Sequence, residues 1–223
     1  WQNQPNLSTI QSHVETALSR VANHPIQIVC AGRTDAGVHA IGQVIHFDTS
    51  AHRENHAWRL GANTYLPPDI SLLWAKPVSD DFHARFSAIS RRYQYIIYSR
   101  PTRPSIGRHH VTWDYRYFDI ALMNEAAQYL IGKQDFTSYR GISCQAHTAL
   151  RTITELLIID ICANAFLHHM VRNIAGVLMT IGAGEREPLW AKEVLEAHDR
   201  RAAGITAPPQ GLYFVHVTYS EQI

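Results

Sequence analysis

A short apolar run that leads into a glycine-bracketed loop is the feature that most constrains this chain. Residues 26–30 are apolar and rich in β-branched side chains, which predicts a buried strand. The chain then turns between Gly32 and Gly37, because glycine adopts backbone angles that other residues avoid. Asp35 lies at the tip of this tight loop, where its carboxylate can face a cleft. An Asp that merely caps the turn explains the loop alone equally well.

Strand and helix patterns alternate along the whole chain, which is typical of the α+β class. Helices are predicted at residues 7–23, 53–65, 118–131, 169–182 and 188–198. Strands are predicted at residues 26–31, 43–47, 70–75, 92–98, 153–159, 164–167 and 212–219, the pair at 153–167 as a hairpin. The loop at residues 77–81 predicts a boundary between an N-terminal α/β domain, residues 1–82, and a C-terminal α/β domain, residues 83–223.

Composition indicates a folded protein that is not embedded in a membrane. The chain has 223 residues, 46% hydrophobic and 17% charged, and no apolar run approaches the roughly 20 residues of a membrane span. The three cysteines, Cys30, Cys144 and Cys162, are odd in number and widely spaced. They predict reduced thiols in a cytoplasmic protein, without a disulfide framework or a cysteine-based zinc site.

The distribution of charge is more informative than the net charge of +1. Residues 85–113 contain six arginines and no Asp or Glu, with aromatic side chains interleaved. Lysine occurs only at 76, 133 and 192, so 17 of the 20 basic residues are arginine. Arginine grips phosphate through two hydrogen bonds and stacks on bases, which suits RNA. Codon bias and ordinary solvated arginines explain the high ratio of arginine to lysine. They explain the absence of Asp and Glu from residues 85–113 less well.

Four motifs, in this order, resemble the tRNA pseudouridine synthase A family. They are GRTDAGVH at residues 32–39, RRYQY at 91–95, FLHHMVRN at 166–173 and GLY at 211–213. The resemblance implies two α/β domains that share an extended, mostly antiparallel mixed sheet with a catalytic cleft between them. It also implies an isomerase that converts uridine to pseudouridine at positions 38, 39 and 40 of the tRNA anticodon stem-loop.

The resemblance further assigns the reacting residues. Asp35 is the expected nucleophile, and the residues leave open whether it attacks ribose C1′ or uracil C6, or acts through a glycal-type route. Arg172 is expected to pair with Asp35 from the other domain, since an arginine at an apolar helix start needs a partner. An ordinary surface salt bridge is the alternative for Arg172.

The remaining site residues are expected to bind the substrate. By resemblance Tyr93 stacks on the flipped uracil, and Leu212 forms an apolar wall against the base. Arg33 contacts the flipped base or a phosphate, and Arg85, in the segment FHARF at residues 82–86, supports RNA binding. Tyr93 and Tyr95 face the same side of a strand, so one of them is expected to belong to the core.

No cofactor is expected. The chain has no glycine-rich phosphate-binding fingerprint, so no nucleotide cofactor is implied. The pairs at residues 109–110 and 168–169 are adjacent histidines, whose side chains are expected to diverge, and no metal site is predicted there. By resemblance the partners are tRNA and a second copy of the chain, as a homodimer. Because the family carries a strand before its Trp-Gln segment and a tail after the last motif, we expect a longer biological chain.

Two other functions remain open at this point. A non-catalytic RNA-binding relative would keep the basic block but lose the nucleophile. A hydrolase of a glycosidic bond would need a second, acid-acting carboxylate near Asp35, and Asp48 and Asp69 lie in generic loop settings. Release of free uracil would favour the hydrolase, and retention of the base in RNA would exclude it.

Overall fold

The structure is a computed structural model that describes residues 1–157 and 159–220. Its internal contacts define two compact units. Among the described residues, unit 1 comprises Trp1–Asp35, Gln43–Ala88 and residues 219–220, and unit 2 comprises Ala36–Gly42 and Ile89–Thr218. The domain boundary at residue 82 stays a prediction. The contact units differ from it because residues 83–88 pack with unit 1 and residues 36–42 pair with the sheet of unit 2.

The described residues combine helices with a mixed sheet, which confirms the predicted α+β class. The helices are α1 (Ile10–Ala22), α2 (Asn55–Asn63), α3 (Ile120–Gln128), α4 (Met170–Gly182) and α5 (Trp190–Glu196). The strands are β1 (Val29–Cys30), β2 (His39–Ala40), β3 (Ile45–His46), β4 (Ala88–Tyr95), β5 (Ile97–Ser99), β6 (Thr112–Asp114), β7 (Gly132–Asp135), β8 (Leu150–Leu157), β9 (Asp160–Ala163) and β10 (Leu212–Tyr219). None of these helices is long and apolar enough to span a bilayer.

Unit 1 packs α1 and α2 beside the short antiparallel pair β1 and β3. Its core is a cluster of apolar side chains from α1, α2 and the segment directly before β1: Val14, Ala17, Leu18, Ala22, Ile26, Ile28, Trp58 and Ala62. Thr9 and Ser12 begin α1 with a reciprocal capping box, and Asn23 ends it in the left-handed conformation. The amphipathic pattern of residues 7–23 therefore becomes a helix three residues shorter at its start and one residue shorter at its end.

The strand predicted at residues 70–75 is wrong. Apolar side chains of the segment pack against the core of unit 1, but the segment forms no strand and no described strand pairs with it. Instead the side-chain amide of Asn63 donates to the Leu72 carbonyl (2.9 Å) and accepts from the Leu72 N–H (2.8 Å). One helix side chain thus satisfies the backbone groups that a neighbouring strand would otherwise bind.

Unit 2 is built on a six-stranded sheet with the order β2-β10-β4-β9-β8-β7. Neighbours from β4 to β7 along this order are antiparallel, whereas β2 and β10 are parallel. The apolar helix α4 is buried along most of its length and packs on α3. A separate parallel pair, β5 and β6, completes the strands of unit 2.

The predicted hairpin forms, but its second strand lies earlier than expected. β9 spans Asp160–Ala163 rather than residues 164–167, and residue 158 of the first predicted strand lies outside the described residues. Ile159 has a φ of 66°, which places a tight turn directly before β9. The strand ends at Ala163. The Asn164 N–H still donates to the Thr152 carbonyl (3.1 Å), but the Asn164 side chain rather than a backbone carbonyl accepts the Thr152 N–H (2.9 Å).

Candidate active site

The loop that carries Asp35 begins with its backbone held on unit 1. The side-chain amide of Gln43 accepts from the Gly32 N–H (3.3 Å) and donates to the Gly32 carbonyl (2.6 Å). The Thr34 carbonyl accepts a hydrogen bond from the backbone nitrogen of Trp1 (3.0 Å). These contacts fix the peptides around Arg33, whose side chain is exposed, while Asp35 is half-buried.

Two of the predicted RNA-binding arginines, Arg33 and Arg85, share one region of unit 1. Burial raises the pKa of the Cys30 thiol, and both guanidinium groups act in the opposite direction on that thiol. Arg33 and Arg85 are both exposed. Unit 1 therefore brings together two cations that lie 52 residues apart in the sequence and places them beside the β1 strand that leads to Asp35.

The residues that follow Asp35 in the chain are fixed on the sheet of unit 2. β2 pairs in parallel with β10, and the N–H groups of Ile41 and Gly42 both donate to the Phe214 carbonyl (2.9 and 3.2 Å). A Cβ atom at Gly42 would overlap the carbonyl of Val215, so this close approach requires glycine. Gly37 has a φ of 83°, which is the turn geometry that the sequence predicted for a glycine.

His39 anchors the same segment through its ring, a role that sequence reasoning did not assign. The ring stacks on Tyr213 (centroids 4.7 Å apart) and on His110 (5.0 Å). Its Nε2 donates to the His109 carbonyl (2.7 Å), since a carbonyl oxygen only accepts. The side chain thus ties the segment after Asp35 to the loop before β6.

Two motifs of the family resemblance meet at Tyr93 in unit 2, beside the residue that follows the GLY motif. The Tyr93 ring stacks on Phe214 of β10 (centroids 4.8 Å apart) and meets Phe166 edge-on (5.0 Å). Leu212, two residues before Phe214, begins the same strand and is buried. Phe166 and Phe214 were not predicted as site residues, although Phe166 opens the FLHHMVRN motif. The side chain of Tyr93 is 8% exposed, and Phe214 covers one face of its ring.

Tyr95, two residues further along β4, is buried like Tyr93, so both members of the tyrosine pair belong to the core and not one as expected. Its hydroxyl bonds to the Thr112 hydroxyl (2.6 Å) and donates to the Pro208 carbonyl (2.8 Å). Burial raises the pKa of this phenol, while the Thr112 hydrogen bond and the charge of Arg172 act against the rise. Tyr95 therefore stays neutral and fixes residue 208 immediately before the turn that leads to Leu212.

Arg172 lies in the first turn of α4 and is oriented by the segment at residues 204–208. Its Nε donates to the Ala207 carbonyl (2.8 Å), and the Ala207 N–H donates back to the Arg172 carbonyl (3.1 Å). These two hydrogen bonds fix the position of the Arg172 Nε and thereby orient the guanidinium group. The predicted pairing of Arg172 with Asp35 stays a prediction.

A buried polar network next to Arg172 has no counterpart in the sequence predictions. Asn173 is fully buried, donates to the Tyr139 carbonyl (2.7 Å), and accepts from Arg200 (3.0 Å) and from the Thr206 hydroxyl (2.6 Å). Arg200 also donates to Thr206 (2.8 Å). The network holds residues 204–207 against α4. Its members are separated by up to 67 residues, so only the position of Asn173 inside a motif could have signalled it.

The rings of His168 and His169 stack with centroids 3.7 Å apart, so the expectation that these neighbours diverge is wrong. The cause is His169, which has a φ of 60° and lies in the turn directly before α4. A left-handed residue folds the two side chains onto one side of the chain.

The arginine block at residues 85–113 contains no Asp or Glu, but acidic side chains from elsewhere in the chain contact it in the fold. Arg92 forms ion pairs with Asp160 (2.7 Å) and Glu155 (3.0 Å), which come from the β8–β9 hairpin. The buried Arg91 donates to the Asn164 carbonyl (2.9 Å). The charge of Arg92 is therefore balanced by acidic side chains of the fold, and RNA binding by the block stays a prediction.

Comparisons with known proteins identify the family of this chain. The family described as tRNA pseudouridine synthase matches residues 1–87 and 126–220. The chain belongs to this family. The matched segments contain Arg33, Asp35, Arg85, Arg172 and Leu212, and Tyr93 lies between them. The predicted enzyme class, a tRNA pseudouridine synthase, is confirmed at the level of the family.

Individual relatives are similar over almost the entire chain. The tRNA pseudouridine synthase A of Alcanivorax borkumensis is 55% identical, over 99% of this chain and 86% of that protein. The proteins of the same name from Coxiella burnetii and Pseudoalteromonas translucida are each 56% identical, over 98% and 100% of this chain and 87% of each protein. Such similarity covers both units and every predicted site residue.

Proposed function

We propose that this chain isomerises uridine to pseudouridine at positions 38, 39 and 40 in the anticodon stem-loop of tRNA, with Asp35 as the nucleophile. Family membership supports the isomerase, and the order of the four motifs supports the target site. The observation that carries the role of Asp35 is the fixed loop. Its backbone is hydrogen-bonded before Asp35 by Gln43 and after it by the pairing of β2 with β10.

The reaction breaks the bond between ribose C1′ and uracil N1 and forms a bond between C1′ and C5. The proton on C5 leaves, and N1 gains a proton, so no redox partner or added group is needed. Asp35 supplies the carboxylate that bonds covalently to C1′ or to C6 while the base turns. We propose that the enzyme acts without a metal ion or a nucleotide cofactor.

The other residues hold the flipped nucleotide. Arg33 and Arg85 are exposed cations of unit 1 that suit phosphate oxygens. Tyr93 and Leu212 of unit 2 supply apolar contacts to the uracil, and Phe214 backs Tyr93 from behind. Arg172 supplies a guanidinium oriented by the Ala207 carbonyl, and we propose that it pairs with Asp35. We further propose that two copies of the chain act as a homodimer in the cytoplasm.

The experiment is tritium release from tRNA labelled at uracil C5, since only bond formation at C5 expels that hydrogen. Wild type and Asp35→Ala are compared at protein concentrations that give equal RNA occupancy. Release by the wild type and none by Asp35→Ala would support isomerisation with Asp35 as the nucleophile. Binding without release by the wild type would favour an RNA-binding function, and free uracil in solution would favour hydrolysis.

A further inference from the structure

The turn at residues 83–87 of unit 1 is rigid because its polar backbone groups are satisfied locally. The Ser87 N–H donates to the His83 carbonyl (2.9 Å), and the Ser87 hydroxyl accepts from the His83 N–H (3.0 Å). The N–H groups of Arg85 and Phe86 both donate to Nδ1 of His83 (3.1 Å each). The imidazole is thereby held in one orientation with Nδ1 as an acceptor.

This turn holds the ring of Phe86 in solvent. The phenyl group stacks on His83 (centroids 4.3 Å apart, 30° between planes), yet Phe86 is 74% exposed. His83 is supported in turn by His46 (4.8 Å), whose Nδ1 accepts from the Ala84 N–H (3.1 Å). A single exposed apolar side chain is common, but a phenyl ring fixed on a hydrogen-bonded support is a ready stacking surface.

The charges around this ring favour a nucleotide over an apolar protein surface. The guanidinium carbon of Arg85 lies 5.3 Å from the centre of the Phe86 ring. Arg33 acts on the same Cys30 thiol as Arg85 and lies two residues before Asp35. An aromatic face beside cations is the combination with which proteins bind unpaired bases and their phosphates.

We propose that Phe86 stacks on an unpaired base of the tRNA substrate while Arg85 binds a phosphate of the same strand. This inference rests on the proposed function only in taking tRNA as the substrate. The ring supplies sequence-tolerant affinity, because every base has a face that can stack. Its position in unit 1 places this contact on the same compact body as Asp35.

The test measures the Kd of Phe86→Leu, Phe86→Trp and Arg85→Gln for an anticodon stem-loop RNA over a range of salt concentrations. We expect Phe86→Leu to raise Kd by about 5- to 100-fold, and Phe86→Trp to stay within about twofold of wild type. The rate at saturating RNA should be unchanged in Phe86→Leu. Arg85→Gln should reduce the slope of log K against log salt by about 0.7, whereas Phe86→Leu should leave that slope unchanged.

Tyr117→Leu is the matched control, since Tyr117 is 89% exposed and no ring stacks on it among the described residues. A Phe86→Leu Kd within about twofold of wild type would overturn the proposal, as would equal weakening by Leu and Trp. Dissociation of protein copies by Phe86→Leu, seen by sedimentation, would instead assign the ring to a protein interface. Phe86-dependent binding by a wild type that forms no pseudouridine would leave the stacking proposal standing and reject the proposed function.

Discussion

The Asp35 loop of unit 1 and the start of α4 in unit 2 are held by different interactions. The loop depends on a few hydrogen bonds, chiefly those from the half-buried amide of Gln43. The start of α4 depends on the fully buried Asn173 network. We infer that substitutions around the loop change function before they change stability, and that substitutions in the network do the reverse.

The largest effect is expected from Asp35→Asn. Removing the carboxylate should lower the rate of pseudouridine formation by at least about three orders of magnitude, because an amide is a poor nucleophile. The melting temperature should stay near that of wild type, since the half-buried side chain keeps its shape. Single-turnover kinetics and thermal unfolding measure the two quantities. Retained activity in a folded variant would remove Asp35 from the chemistry.

Asn173→Ala should be the most destabilising change in the comparison. It removes the partner of the Tyr139 carbonyl and leaves Arg200 and Thr206 without their shared acceptor. We expect a loss of about 3 kcal/mol in the free energy of unfolding, measured with urea.

Asn3→Ala is the matched control, because Asn3 is exposed and should change stability by less than about 0.5 kcal/mol. A similar stability for Asn173→Ala and Asn3→Ala would show that the network contributes little to unit 2.

Gln43→Ala tests the Asp35 loop, the region in which we expect function to change before stability. It removes both hydrogen bonds to Gly32, so the Asp35 loop should sample more conformations. We expect about a tenfold lower kcat with a loss of only about 1 kcal/mol in stability. Steady-state kinetics and urea unfolding measure the two. A variant that lost stability but kept its full kcat would show that this amide does not position the loop.

The smallest effect concerns pH and His46 in unit 1. Burial lowers the pKa of His46, as does the neighbouring His83, while Asp48 opposes the change. Protonation therefore favours the unfolded chain. The stability from His46 should be complete above about pH 6.5 and fall by less than about 1 kcal/mol as the pH drops below it.

His46→Asn keeps an acceptor for the Ala84 N–H without a titrating group. The pH dependence of urea unfolding should be flatter in this variant between pH 5 and 7. An unchanged slope would assign the dependence to other groups.

Elements with a strong local pattern were predicted well. The strand at residues 212–219 has the predicted bounds, and the apolar pattern at 169–182 gives α4 almost unchanged. The errors arise where a side chain replaces a backbone partner. Asn63 binds the peptide of Leu72, and the Asn164 side chain binds the Thr152 N–H directly after β9. Neither residues 70–75 nor residues 164–167 form a strand. A side chain that takes the place of a backbone partner leaves no periodic pattern in the sequence.

Motif order and periodicity are properties of the chain, so the fold class, the family and the glycine-bracketed loop with Asp35 could all be predicted before folding was considered. Which charges and rings have partners could be read only from the folded chain. Arg92 is neutralised by Asp160, which lies 68 residues away, while Phe86 is held exposed on His83. The physical reason is that ion pairs, stacking and desolvation depend on distances that folding sets, and partners far apart in the chain leave no local pattern.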